Sequence, residues 1–239
     1  VFSTYGVFAS GRAYDQVRNS ICYTNLHVLI GGAHGGISVG PDGATHQALE
    51  ELALMRVLPR MTVICPADSN ETYNATKAAI EELNGPVYIR FGRAPVPLFS
   101  DIDEPFIVGK AKTLRHGDDI TIIACGAMCF YAMTACDMLA EKGIHARLIN
   151  MHTIKPIDKE IIVKAAKETG RIITIEEHQV NGGLGSAVAE VVVQHSPVPM
   201  KFMGIHDVFG LSGEPDELME YFKLNPEYIV RNVEEFLAE

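Results

Sequence analysis

Long apolar runs, secretory patterns, paired cysteines and basic clusters are all missing from this sequence, and each absence excludes something. No stretch approaches the ~20 apolar residues that a membrane-spanning helix requires. No basic segment precedes an apolar one in the manner of a secretory signal. Cys22, Cys65, Cys125, Cys129 and Cys136 form no CxxC and no metal-ligand spacing. An odd set of scattered thiols suits a reducing compartment, so a cytoplasmic protein with buried, apolar cysteines is expected. The sequence offers no metal-ligating set of its own. The net charge is −10 and no arginine-rich run occurs, which argues against nucleic acid or membrane as the main partner. An acidic balance still permits a local basic pocket for an anionic substrate.

What is present suits a globular enzyme. The 239 residues suffice for one large or two ordinary domains, and 47% hydrophobic content can fill real cores. The stretch Gly31-Gly32-Ala33-His34-Gly35-Gly36-Ile37-Ser38-Val39-Gly40-Pro41-Asp42-Gly43-Ala44-Thr45-His46-Gln47 organises the chain. It follows Val28-Leu29-Ile30, which reads as a buried strand. Its glycines allow sharp turns and close backbone approach. Leu49, Leu52, Ala53, Met55 and Arg56 then begin a helical pattern. A strand, a glycine-rich polar loop and a helix is an arrangement whose ligands sit at the strand's carboxyl end. The residues alone leave two readings, a long surface turn or a functional loop. Two histidines flanking an acid favour the second, because histidine moves protons near neutral pH.

The rest of the chain alternates. Phe2 to about Arg18 reads as a helix, with Phe2, Tyr5 and Phe8 on one face. Ala44 to Val57 is expected to be helical and to stop at Pro59. Thr62–Cys65 and Val87–Arg90 read as strands around a helix from about Asn70 to Glu82, capped by Asp68 or Ser69. Asp68 and Glu71 are expected to be structural, and Arg90 a structural ion pair. Proline-rich residues 95–106 read as a linker between an N-terminal domain, 1–94, and a second domain, 107–239. In the second domain the expected strands are Ile107–Val108 with Lys110–Thr113, Ile120–Ala124, Ala146–Asn150, Arg171–Ile175 and Met200–Met203. Helices are expected near Cys129–Glu141, Asp158–Glu168, Gly183–Gln194, Pro215–Phe222 and Asn225–Leu237. The fold class is therefore α/β, two domains each with a mostly parallel sheet flanked by helices. Glu176-Glu177-His178 with the glycine run 182–185 lacks a P-loop lysine and a full dinucleotide fingerprint, and is expected to be structural.

The run from His34 to Gln47 closely resembles the pyrimidine-domain signature of transketolases. Leu54-Met55-Arg56, Pro66-Ala67-Asp68, Gly92-Arg93, the run Ile149–Pro156 and Glu176-Glu177-His178 continue the resemblance in order, so it covers essentially the whole chain. Arg12-Ala13-Tyr14-Asp15-Gln16 is similar to deoxyxylulose-phosphate synthases and marks the wider thiamine diphosphate-dependent superfamily. The chain looks most like the separate C-terminal subunit of a split transketolase, with a pyrimidine-binding domain and a transketolase C-terminal domain.

The resemblance implies thiamine diphosphate and Mg2+ as cofactors, and transfer of a two-carbon ketol unit from a ketose phosphate to an aldose phosphate. The cofactor carries the hard step and the protein orients it. By resemblance, Phe2, Tyr5 and Phe8 clamp the pyrimidine ring, and aromatic faces suit a flat heterocycle. His46 and Asp42 face the ketose hydroxyls. His34 and Arg93 hold the acceptor and its phosphate, a task suited to guanidinium. Gly35-Gly36 stand where fused enzymes carry Asp-Ser, and Pro41 stands where they carry an acid. The cofactor-activating glutamate is expected in a segment preceding Val1. The Gly-Asp-Gly metal and diphosphate motif is absent, so an N-terminal transketolase subunit is the expected partner, in a heterotetramer active only when assembled. Rival readings are a deoxyxylulose-phosphate synthase-like or 2-oxoacid dehydrogenase β-like subunit, a non-catalytic regulatory relative, and a sugar-phosphate-binding module.

Overall fold

The computed structural model describes residues 1–239. β1 (Phe2–Tyr5) leads into a helical stretch in which α1 (Tyr14–Gln16) is flanked by π-type turns at Phe8–Arg12 and Val17–Tyr23. β2 (Leu29–Ala33) runs into a tight loop with a 3-10 segment at Ile37–Asp42. Next come α2 (Glu51–Val57), β3 (Thr62–Ile64), α3 (Ser69–Glu81) and β4 (Val87–Arg90). No helix or strand occurs until β5 (Lys112–Arg115), β6 (Ile120–Ala124), α4 (Met128–Glu141), β7 (Ala146–Asn150) and β8 (Thr153–Lys155). The chain closes with α5 (Lys159–Thr169), β9 (Ile172–Gln179), α6 (Leu184–His195), β10 (Met200–Ile205), α7 (Pro215–Tyr221) and α8 (Pro226–Ala238). No helix is long and apolar enough to cross a membrane.

These elements build two five-stranded sheets, ordered β1-β2-β4-β3-β8 and β10-β9-β6-β7-β5. All pairings are parallel except β3 with β8 and β5 with β7. Parallel strands are covered on both faces, and every residue of β4 and β6 is accordingly buried. The α/β expectation of two mostly parallel sheets flanked by helices holds.

The sheets are not independent. β8 comes from the C-terminal half yet forms the edge of the N-terminal sheet, a strand the sequence reading omits. Lys155 on β8 donates from Nζ to the carbonyls of Arg56 and Leu58, satisfying the open end of α2. One apolar cluster joins Ile30, Leu52, Met55 and Tyr88 of the first half to Ile123, Ile149, Ile154 and Val188 of the second. The five cysteines are free and buried.

Three local expectations are corrected. Phe2 and Tyr5 lie on a strand, not a helix, because residues 2–5 pair in register with Ile30–Ala33. Strand side chains alternate between faces, so Phe2 and Tyr5 point to opposite sides. Residues 44–50 are not helical: the Gln47 side chain folds back to bond the carbonyls of Ile37 and Leu211, which spends this segment on the loop. Ile107–Val108 is not a strand; the edge strand starts at Lys112. The capping expectation does hold. Asp68 accepts from Glu71 N at the start of α3; the structure adds a cap the sequence reading did not name, Asn225 on α8 ahead of Pro226. Asp68 also accepts from the backbone N–H of Phe99 and Ser100 and from the Ser100 hydroxyl, so one carboxylate pins the segment after β4. Burial pushes the Asp68 carboxyl up, but these donors outweigh it and hold it below the usual range.

Candidate active site

The parallel pairing of β1 with β2 sets Tyr5 beside Ala33, and His34 follows with a left-handed backbone, φ 61°. The Tyr5 ring therefore meets the His34 ring edge-on at 4.3 Å between centroids. The loop returns to bring His46 to 5.3 Å from Tyr5 and 5.7 Å from Phe8, and Tyr5 and Phe8 themselves lie 5.6 Å apart. Phe8 occupies the π-type turn that follows β1, a distortion often found at functional sites. Tyr5, Phe8, His34 and His46 thus form one cluster at the carboxyl ends of two strands. Phe2 joins none of these ring pairs and lies exposed on the other face of β1.

Hydrogen bonding in this cluster is left open. His34 Nδ1 is buried without a partner. Burial lowers the His34 pKa, Asp42 opposes that, and Arg93 and His46 add to it. His34 is thereby a neutral imidazole at neutral pH, under the joint influence of Asp42, Arg93 and His46. His46 Nδ1 contacts Thr45 Oγ1 at 2.9 Å, which orients the ring. Asp42 is exposed. Arg93 is also exposed, and its one protein hydrogen bond runs from Nη1 to the Val39 carbonyl at 3.2 Å.

The loop holds its shape through its glycines and Gln47. Gly40 and Gly43 adopt positive φ (77° and 72°) where the loop packs on residues 212–215. Gln47 Nε2 joins the Ile37 carbonyl (3.2 Å) to the Leu211 carbonyl (2.8 Å). Ile37, at the loop's start, is fully buried in the core of the second sheet.

Beneath the loop lies an ionic layer between the sheets. Arg90, on the last residue of β4, donates from Nε to Glu51 Oε1 at 2.6 Å and from Nη2 to the Glu177 carbonyl at 2.7 Å. Glu177 Oε2 accepts from Ser38 N at 2.9 Å. Glu176 accepts from Leu184 N and Gly185 N at the start of α6, at 2.6 and 2.8 Å. Burial pushes the Glu176 carboxyl up to about 8 against those donors. His178 Nε2 accepts from Ala53 N, so Nδ1 carries the proton and donates to the Gln179 carbonyl at 2.6 Å. Burial takes the His178 pKa down to about 4. Arg90 and the Glu176-Glu177-His178 run thus sit in the frame, as expected. Glu71 is buried too, bonded to Asn150 Nδ2 at 2.8 Å and to Ala67 N at 2.6 Å.

A cavity of about 310 Å³ opens at the carboxyl ends of β3 and β4, lined by Ser38, Arg90, Gly92, Arg93, Gly126 and Glu177 among others. The Ser38 contribution escaped the sequence reading. It follows from Glu177, 139 residues away, and no local signal reports such a contact.

The transketolase pyrimidine-binding domain model matches residues 1–97, and the transketolase C-terminal domain model matches residues 109–229. Over 236 residues the chain is 44% identical to a putative transketolase C-terminal section of Methanocaldococcus jannaschii, covering 98% of this chain and 73% of that protein. It is 42% identical over 231 residues to one subunit of the apulose-4-phosphate transketolase of Phocaeicola vulgatus, covering 96% and 73%. A solved structure described as a split gene transketolase, inactive beta4 tetramer, is 47% identical with a TM-score of 0.92, covering 99% of this chain and 75% of that one.

Proposed function

The chain belongs to the transketolase family, and on that premise we propose that it is the C-terminal subunit of a split transketolase, transferring a two-carbon ketol unit from a ketose phosphate to an aldose phosphate. The observation that carries this reading is the convergence of Tyr5, Phe8, His34 and His46 at the carboxyl ends of β1 and β2, with Asp42 and Arg93 acting on His34.

Family members with this domain use thiamine diphosphate, and the cluster fits its pyrimidine half. Tyr5 and Phe8 offer apolar ring surface for a flat heterocycle, and His34 Nδ1 is a buried polar atom with hydrogen-bonding capacity to spare. When bound, thiamine diphosphate supplies the nucleophilic carbon and the electron sink for ketol transfer. Tyr5 and Phe8 orient the ring and exclude water from one side; Phe2 stands apart from that pair. His46 and Asp42 hydrogen-bond the ketose hydroxyls, and His46 holds or passes a proton there. Neutral His34 donates one hydrogen bond to the acceptor, and Arg93 takes its phosphate through a planar fork. On this reading Mg2+ and the cofactor's diphosphate fall to an N-terminal subunit. That the Phocaeicola relative is itself one subunit of its enzyme supports a two-chain transketolase here. We place the assembled site at the interface of a cytoplasmic heterotetramer.

The test is reconstitution. Thiamine diphosphate with magnesium is titrated into this chain alone and into its mixture with the N-terminal subunit, and transfer from xylulose phosphate to ribose phosphate is followed. Turnover only in the mixture is expected. Turnover by the chain alone would refute the split site, and product from pyruvate with glyceraldehyde phosphate would move the reading to a synthase.

A further inference from the structure

The turn that carries His34 is held from beneath by a side chain of the other sheet. After His34, the backbone N–H of Gly35 donates to the Phe91 carbonyl at 3.2 Å and that of Gly36 to the Ala48 carbonyl at 2.9 Å. The N–H of Ser38 donates at 2.9 Å to Glu177 Oε2. Glu177 is 2% exposed, and its own carbonyl is gripped by Arg90, which is anchored in turn on Glu51.

The two glycines after His34 are shaped to this frame. A Cβ on Gly35 would stand 2.4 Å from Arg90 Nε, and one on Gly36 would stand 2.4 Å from Glu177 Oε2. Gly36 also has φ +91°, which disfavours any side chain there. Arg90 and Glu177 thus occupy the volume that side chains at 35 and 36 would need. A buried carboxyl costs desolvation, and this one makes its side-chain hydrogen bond to the turn.

From this juxtaposition we infer that Glu177 is a positioning residue for His34: accepting from Ser38 N and filling the space against Gly36, it sets the turn that aims the His34 ring. Its consequence for turnover rests on the transketolase reading; its consequence for His34 itself does not.

Two arms test it with the full chain. In the first, ring NMR signals of labelled histidine follow His34 in wild-type protein, Glu177→Ala, Glu177→Gln and Glu176→Gln. The groups facing His34 are Tyr5, His46, Asp42 and Arg93, and they are unchanged in all variants. Glu177→Ala should shift the His34 ring signals and raise its pKa toward that of free histidine. Glu177→Gln, whose amide oxygen can still accept from Ser38 N, should leave both near wild type. Glu176→Gln, whose partners are on α6, should leave His34 unmoved whatever it does to stability. In the second arm, the reconstituted enzyme should show an acceptor KM raised about tenfold in Glu177→Ala with kcat changed less than about threefold, and restored within about twofold in Glu177→Gln. If Glu177→Ala lowers thermal stability but leaves the His34 signals and pKa in place, Glu177 is merely structural and the inference fails. If His34 moves but the wild-type mixture shows no ketol transfer, the positioning role stands and the transketolase reading falls.

Discussion

Arg90 and Arg93 lie three residues apart, and His178 directly follows Glu177, whose carboxylate accepts from the turn after His34, yet the members of each pair have opposite fates. Arg90 is 4% exposed and spends its donors on Glu51, the Glu177 carbonyl and Cys65. Arg93 is exposed and makes one bond, to Val39. His178 is fully buried with both ring nitrogens engaged. His34 keeps a nitrogen without a partner. The buried layer and the surface cluster use the same residue types. What separates them is unspent hydrogen-bonding capacity. In the layer the protein consumes most of it, Glu51 Oε2 being left without a partner, and the bonds made fix two sheets against each other. In the cluster it is left open, which is what binding a ligand requires.

The largest effect expected on this contrast comes from the layer. Arg90→Met leaves Glu51 and Glu177 buried without their cation and should cost about 3–5 kcal/mol of stability, read by denaturant unfolding. A loss below about 1 kcal/mol would mean that the layer is not the frame. Next comes the cluster. His46→Ala should lower turnover of the reconstituted enzyme by at least about a hundredfold while unfolding midpoints stay close to wild type. A large stability loss instead would place His46 with the buried layer.

The pH dependence of stability separates the two regions further. His178 and His152 are both depressed to about 4, each mainly by burial. Between about 6.5 and about 4 the unfolded chain takes up protons that these buried rings refuse, so stability falls as pH falls. Each histidine adds up to about 1.4 kcal/mol per pH unit. Glu176, raised to about 8, works the other way. It is protonated in the fold and ionised when unfolded above about 4.5, so its contribution falls as pH rises from there and is gone above about 8. His152→Gln should weaken the loss of stability between about 6.5 and about 4, and Glu176→Gln should remove a loss that develops as pH rises from about 4.5 to about 8. Unfolding curves across pH 4 to 9 check both signs. The smallest effect tests the aromatic pair. Tyr5→Leu should weaken thiamine diphosphate binding in the assembled enzyme by up to about tenfold. Phe2→Leu, on the opposite face of β1, should weaken it less; equal losses would restore a three-ring clamp.

Much of the candidate site was legible in the sequence, because it sits in one continuous stretch. His34, Asp42 and His46 share a loop whose glycines announce it, and Arg93 follows the next strand but one. Less legible was the first element. Aromatic residues at a spacing of three satisfy a helical face, and only the register against Ile30–Ala33 makes Phe2–Tyr5 a strand. The stretch 44–50 failed as a helix for a similar reason, since Gln47 answers to the distant Leu211 carbonyl.

The sequence by itself determined the alternation of strands and helices, the cap at Asp68, and which loop holds the candidate histidines. Hydrophobic period, turn residues and capping groups act within a few positions, so they can be read locally. Tertiary structure alone decided that β8 crosses to the first sheet, that Arg90 takes Glu51 and the Glu177 carbonyl as its partners, and that Glu177 reaches Ser38. Those outcomes depend on contacts between residues far apart in the chain. Their energies come from burial and from hydrogen bonds that exist only once both sheets are in place.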